Sequence, residues 1–216
     1  MYLIVGGGDV SMQRLETYLN AAELIIAADR GADRIIALGR MPDVFLGDMD
    51  SVTILTREHC KAFANCEVVE YNSEKDQTDG ELALVYAFTH GAKEIIFCGS
   101  LGDRIDHTLS NIFCSSELAK KGIKIMLEDD HQEIFFVVDD LTHSGWKSGE
   151  TVSILSLEEK SHIEKVDGFK YSLVQKDLKR GTSLGISNEV NAPGISVRVT
   201  SGLALVIRQF NREDAC

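Results

Sequence analysis

The chain reads as an α/β protein: an N-terminal, mostly parallel sheet with helices on both faces, followed by a C-terminal all-β sandwich domain. Two observations predict this. Over residues 1–130, short apolar runs alternate with longer amphipathic ones, the β-α-β-α pattern of a parallel sheet with right-handed crossovers. After about Asp130 the runs stay short, no helical period separates them, and Gly-containing polar turns punctuate them, as in a sandwich or barrel.

In the first part, strands are expected at Tyr2–Val5, Leu24–Ala28, Val44–Leu46, Glu67–Tyr71, Glu94–Cys98 and Lys124–Leu127. Helices are expected at Ser11–Ala21, Ala32–Leu38, Thr53–Ala64, Asp79–Thr89 and Asp106–Lys121, with Gly91 and Gly122 where C-caps belong. In the second part, the strand-like runs are Glu133–Val138, Thr151–Leu155, Ser161–Val166, Gly194–Val199 and Ala204–Arg208. Ser144-Gly145, Ser148-Gly149, Asp167-Gly168 and Ser201-Gly202 supply the turns. The expected division is therefore residues 1–130 and 131–216. Trp146, the only tryptophan, is expected to pack.

With 216 residues, 44% apolar and 26% charged, the chain has material for a substantial core. A formal net charge of −12 argues against nucleic acid as a partner, because a polyanion calls for a basic surface. Five cysteines without a C-x-x-C pair fit a reducing, cytoplasmic location. No apolar run approaches the ~20 residues that span a bilayer, and the N-terminal run lacks the basic flank of a signal peptide. Neither membrane nor nucleic acid is expected as a partner.

Ligands of open α/β sheets bind beyond the carboxyl ends of the strands. Each polar or glycine-rich cluster of residues 1–111 falls at such an end: Gly6-Gly7-Gly8-Asp9, Asp29-Arg30-Gly31, Gly47–Ser51, Asn72–Asp79 and Gly99–His107. The triple glycine lacks the Lys-Ser/Thr of a P-loop, so a tight turn explains it as well as a phosphate does. Asp29 reads as a cap for the helix at Ala32, and Arg30 as a cap neighbour or a phosphate ligand. Asp48 and Asp50 share a side if the segment is extended, and Asp76 and Asp79 share a face if both lie in the first turn of a helix. Such paired carboxylates suit Mg²⁺, which takes oxygen ligands and shares them with substrate phosphates. Against this, Ser51 and its neighbours could simply end a strand, and Thr78-x-x-Glu81 reads as a capping box. Gly99–His107 combines flexible backbone, Arg104 and a helix start that Asp106 could cap, all suited to a phosphate tail. Asn111 lies one turn beyond His107. In the second part, Tyr171 is either a packing aromatic or a platform for a cationic heterocycle.

These segments reach together what none reaches alone. G-D-x-D-S at 47–51, K-D-x-T-D at 75–79, R-x-D-H-x-x-x-N at 104–111 and S-N-E at 187–189, in this order, resemble the thiamine pyrophosphokinase (thiamine diphosphokinase) family across essentially the whole chain. The family commonly has Gly where this chain has Asp103, and often Pro where it has Ser172. The resemblance implies an ATP-binding catalytic α/β domain, a thiamine-binding β-sandwich, and a homodimer with active sites formed between subunits. It implies pyrophosphoryl transfer from ATP to the hydroxyethyl oxygen of thiamine. Asp48, Asp50, Asp76 and Asp79 would then serve Mg²⁺ and catalysis; Lys75, Arg104, Asp106, His107 and Asn111 the nucleotide; Thr78, Tyr171, Ser187 and Asn188 thiamine. A D-x-D phosphatase, a sugar-nucleotide transferase and a non-catalytic nucleotide- or thiamine-binding regulator are the alternatives.

Overall fold

The structure, a computed structural model, describes residues 1–48, 52–72 and 76–210. Two compact units divide the chain, Met1–Asp130 and His131–Cys216.

The first unit carries β1 (Tyr2–Val5), α1 (Met12–Ala21), β2 (Leu24–Ala28), α2 (Gly31–Ala37), β3 (Val44–Gly47) and α3 (Ile54–Ala62). It continues with β4 (Glu67–Glu70), α4 (Asp79–Thr89), β5 (Glu94–Cys98), α5 (Ile105–Ala119) and β6 (Lys124–Glu128). The strands pair in parallel in the order β6-β5-β1-β2-β3-β4. Side chains alternate across the sheet, so Leu3, Val5, Ile25, Ala27 and Phe45 share one face, where they pack on Leu15 and Leu19 of α1, Ile35 of α2 and Cys60 of α3. Ile4, Ile26 and Leu46, also fully buried, fall on the other face, and α4 packs against β1, β2 and β3. The chain winds outward from β1 to β4, then returns to place β5 on the far side of β1. That reversal opens a crevice at the carboxyl ends of β1 and β5.

Local sequence sets the helix starts. Ser11, Thr53 and Thr78 stand at the N-caps of α1, α3 and α4 and accept the N–H of Arg14, Thr56 and Glu81. Gly91 and Gly122 both sit at φ +88, the left-handed conformation that ends α4 and α5.

The second unit carries β7 (Gln132–Val137), β8 (Asp140–Ser144), β9 (Thr151–Ser156), β10 (Lys160–Asp167), β11 (Lys176–Lys179), β12 (Asn188–Glu189), β13 (Gly194–Ser201) and β14 (Ala204–Gln209). Its antiparallel strands run β12-β9-β14-β7 in one layer and β11-β10-β13-β8 in the other. Ile154 and Val206 of one layer and Ile163, Val197 and Val199 of the other share a core with Trp146, which is 2% exposed. This is the sandwich alternative.

Three local expectations are corrected. Asp79 opens α4 behind the extended cap residue Thr78, so Asp76 lies before the helix and shares no helical face with it. Asp29 does not cap α2 with its side chain: the N-cap is Arg30, Asp29 sits at φ +50, and its backbone C=O accepts from Ala32 N–H at 3.2 Å. Asp106 is not the cap of α5, which begins at Ile105 behind Arg104.

Candidate active site

The crevice at the strand reversal holds a cleft of about 400 Å³, within the range of small-molecule sites. Two glycine segments make its floor by interlocking. Gly6 N–H donates to Cys98 C=O at 2.8 Å, and Gly8 N–H to Gly99 C=O at 3.0 Å. A Cβ on Gly8 would fall 2.3 Å from the Leu101 oxygen, and one on Gly99, at φ +63, would fall 2.8 Å from the Gly6 oxygen. Only hydrogen at these positions lets the two backbones approach this closely. Gly99 is fixed from its other side, where its N–H donates to Glu128 C=O at 2.8 Å. Glu128, fully buried, is matched by Arg14 at 2.8 Å and the Tyr18 hydroxyl at 2.5 Å. The Arg14–Glu128 pair spans most of the unit and carries no sequence signal.

The walls come from α4 and α5. Arg104 Nη2 donates to Asp106 Oδ2 at 2.7 Å and Nε to Oδ1 at 3.4 Å. The guanidinium beside it holds the Asp106 carboxyl below its ordinary value of 3.8. His107 and Asn111 both line the cleft, one turn apart. Asn111 is 9% exposed and donates from Nδ2 to Ser100 C=O at 2.6 Å, tying the helix to its own loop. Thr108 accepts Gly102 N–H at 3.2 Å. Asp103 stands in the same wall. Phe97, Gly80 and Thr108 also line the cleft; Phe97 was hidden inside an apolar strand run, and Thr108 inside a helix pattern.

Asp79 reaches the cleft from the first turn of α4. Its carboxylate lies against Gly47, where a Cβ would sit 3.3 Å from Oδ1. Gly47 has φ +142, so a side chain there would be both strained and crowded. Asp48 follows Gly47 directly at the end of β3; it is not among the residues that line the cleft. All-oxygen donors beside a backbone cradle fit Mg²⁺. No group of three His, Cys, Asp or Glu side chains poised to hold a metal occurs among the described residues. Asp50 and Lys75 lie outside them. Asp76 is exposed and Thr78 is engaged as the α4 cap, its hydroxyl accepting from Glu81 N–H at 3.2 Å. Glu81 takes the Gln77 side chain at 2.9 Å, so only half of the capping box forms.

The second unit brings Tyr171 and Asn188 together. Tyr171 is 57% exposed and Asn188 is 2% exposed. Asn188 Oδ1 accepts from Tyr171 N–H at 2.9 Å, and Nδ2 donates to Tyr171 C=O at 2.7 Å. The Asn188 amide therefore pairs with the backbone of Tyr171 at both its oxygen and its nitrogen. Lys170 Nζ lies 5.6 Å from the Tyr171 ring centroid and 2.8 Å from Glu189. Ser187 is exposed at φ +54, its N–H donating to Ser153 Oγ at 3.1 Å.

Comparison with known proteins bears on both units. The family model described as thiamin pyrophosphokinase, catalytic domain, matches residues 15–127, and that described as thiamin pyrophosphokinase, vitamin B1 binding domain, matches residues 140–204. The chain is 30% identical over 207 residues to a thiamine pyrophosphokinase of Bacillus subtilis (strain 168), covering 95% of this chain and 96% of that one. The crystal structure of thiamine pyrophosphokinase from Bacillus subtilis superposes with a TM-score of 0.86 at 29% identity, covering 97% of this chain and 99% of that one. The thiamin pyrophosphokinase from Geobacillus thermodenitrificans gives 0.81 at 27% identity, covering 98% and 99%.

Proposed function

The chain belongs to the thiamin pyrophosphokinase family, and from that premise we propose that it transfers the pyrophosphoryl group of ATP to the hydroxyethyl oxygen of thiamine, giving thiamine diphosphate and AMP. The observation that carries this reading is the cleft at the strand reversal, where Asp79, Arg104, His107 and Asn111 converge on an interlocked glycine floor. The unit of residues 1–130 acts as the ATP-binding catalytic domain and residues 131–216 as the thiamine-binding domain. The enzyme works in the cytoplasm as a homodimer with active sites formed between subunits. Among the described residues no helix is long and apolar enough to cross a membrane.

The reaction forms a bond from the hydroxyethyl oxygen to the β-phosphorus and breaks the bond from that phosphorus to the oxygen bridging it to the α-phosphorus, leaving AMP. In-line positioning and charge neutralisation dominate such a step. Arg104, preset by Asp106, binds phosphate oxygens with its planar fork, and Lys75 adds a second cation. His107 and Asn111 shape the nucleotide pocket. Asp48, Asp50, Asp76 and Asp79 would hold Mg²⁺ directly or through water, or one of these carboxylates would instead take the hydroxyl proton. Mg²⁺, when bound, neutralises charge developing on the transferred group. Thr78 lies near the acceptor oxygen, and Tyr171 and Ser187 contact thiamine.

The test is product analysis. Purified protein with ATP, Mg²⁺ and thiamine should form AMP and thiamine diphosphate in equal amounts, and EDTA should abolish both. ADP, or phosphate without thiamine diphosphate, would reject the assignment.

A further inference from the structure

We propose that Asn188 is a positioning residue for thiamine: its buried side-chain amide clamps the backbone of Tyr171 and fixes the ring on which the cationic heterocycle stacks. This rests on the reading of the second unit as thiamine-binding and replaces a direct contact between Asn188 and the substrate with an indirect one.

The geometry begins with a conflict along the chain. Phe169 and Leu173 are 8% and 3% exposed and belong to the sandwich core, whereas Tyr171 between them is 57% exposed. In a continuous strand, residues two apart share a face, so the backbone must bend out of strand geometry at Tyr171 to turn its ring to solvent. A bend there takes the Tyr171 N–H and C=O away from a backbone partner, and the Asn188 amide supplies both missing partners at 2.9 and 2.7 Å. The primary amide presents one acceptor and a donor side by side, as a paired peptide would. Oδ1 also accepts Glu189 N–H at 2.9 Å, which locks the Asn188 side chain against its own strand.

That strand is itself anchored. Asn188 pairs with Val152 and Glu189 with Thr151 on β9, inside the sandwich layer. On its other side, Lys170 N–H donates to Glu189 C=O at 2.9 Å, and Phe169 bridges to Val190. The Tyr171 bend is thus fastened to the core through Asn188, and a large exposed ring is held by its main chain rather than by packing. Asn188, at 2% exposure, accepts two N–H groups at Oδ1 and donates one Nδ2 hydrogen to Tyr171, so burial and these bonds turn its amide to the backbone rather than to the surface. A preorganised aromatic surface loses less ordering entropy when a flat cation stacks on it.

The experiment is a double-mutant cycle on the full-length enzyme, with Asn188→Ala, Tyr171→Ala and the pair, read as the KM for thiamine, the KM for ATP, kcat and Tm. Asn188→Asp, isosteric and still able to accept from both N–H groups while losing the donor to Tyr171 C=O, is the second variant, with Tm reporting whether it remains folded. Asn188→Ala is expected to raise the thiamine KM about tenfold, on the scale of lost hydrogen bonds to a buried amide, with the ATP KM unchanged. Asn188→Asp should move the thiamine KM in the same direction. In the Tyr171→Ala background, Asn188→Ala should add less than about twofold, because the ring it positions is gone. Effects that multiply across the pair would overturn the proposal in favour of direct contact between Asn188 and substrate. A matching rise in both KM values, or a fall in Tm with unchanged thiamine KM, would overturn it in favour of a structural role alone. The wild-type control separates the two levels: a wild-type chain that forms no thiamine diphosphate removes the functional reading itself.

Discussion

Arg104 and Asp106, two residues apart at the start of α5, hold each other in a forked ion pair, 2.7 Å between Nη2 and Oδ2 and 3.4 Å between Nε and Oδ1. Both side chains are well exposed, at 69% and 64%, so the pair adds little to stability. Its consequence is orientation: the guanidinium plane is set in the cleft wall before any phosphate arrives.

Replacing the fork with a point charge should therefore fail. Arg104→Lys keeps the cation and loses bidentate geometry. Its KM for ATP should rise about tenfold, the scale of one charge-assisted hydrogen bond. Steady-state kinetics at saturating thiamine would check this, and an unchanged KM would remove Arg104 from the nucleotide site.

Asp79→Asn tests the carboxylate set. The change is isosteric, so the contact with Gly47 survives while the charge is lost. Turnover should fall at least a hundredfold, consistent with losing one electrostatic element of a transfer site, and the Mg²⁺ concentration for half-maximal rate should rise. Asp50→Asn should behave alike. Near wild-type turnover in either variant would count against the metal assignment.

Gly80→Ala tests how α4 and α5 meet. A Cβ there would lie 2.5 Å from Asn111 Oδ1. That amide cannot swing away without giving up its 2.6 Å bond to the Ser100 oxygen. Alanine gains about 1 kcal/mol of helix propensity, but overpacking costs about 1–3 kcal/mol, so the net change should be destabilising. Thermal unfolding should show a lower Tm, partly restored by Asn111→Ala. A raised Tm would mean the helices part more easily than this geometry implies.

His162 gives a pH-dependent prediction remote from the cleft. Its Nδ1 lies 2.7 Å from Asp177 Oδ1, and the carboxylate raises its pKa above 6.5, against the opposing charge of Lys160. A raised folded-state value means the stabilisation is complete below about 6.5 and is lost as pH rises through the folded pKa. NMR titration should find His162 above 6.5 in the native chain and lower in Asp177→Asn. An unchanged titration in that variant would show that the ion pair is not formed in solution.

Much of the fold was legible because its elements announce themselves locally. Tyr2–Val5, Leu24–Ala28 and Glu94–Cys98 are apolar runs flanked by polar residues, and they form β1, β2 and β5 at those bounds. The strands that went unread are β8, β11 and β12. Lys176–Lys179 and Asn188–Glu189 are polar and short, and they are strands because β10 and β9 offer them edges. At the site, glycine clusters after strands marked the cleft, since ligand crevices follow from topology. Asp76 falls outside α4 because Thr78, two residues later, is the N-cap. The pairings Arg14–Glu128 and Tyr171–Asn188 join residues far apart in sequence, where periodicity carries no information.

The most direct test of the central claim follows the phosphorus. With ATP labelled at the γ-phosphorus, pyrophosphoryl transfer in one step predicts that the label appears in the terminal phosphate of thiamine diphosphate, with unlabelled AMP as the other product and no ADP at any time. Label in thiamine monophosphate with ADP released, or label in free phosphate alone, would contradict attack at the β-phosphorus.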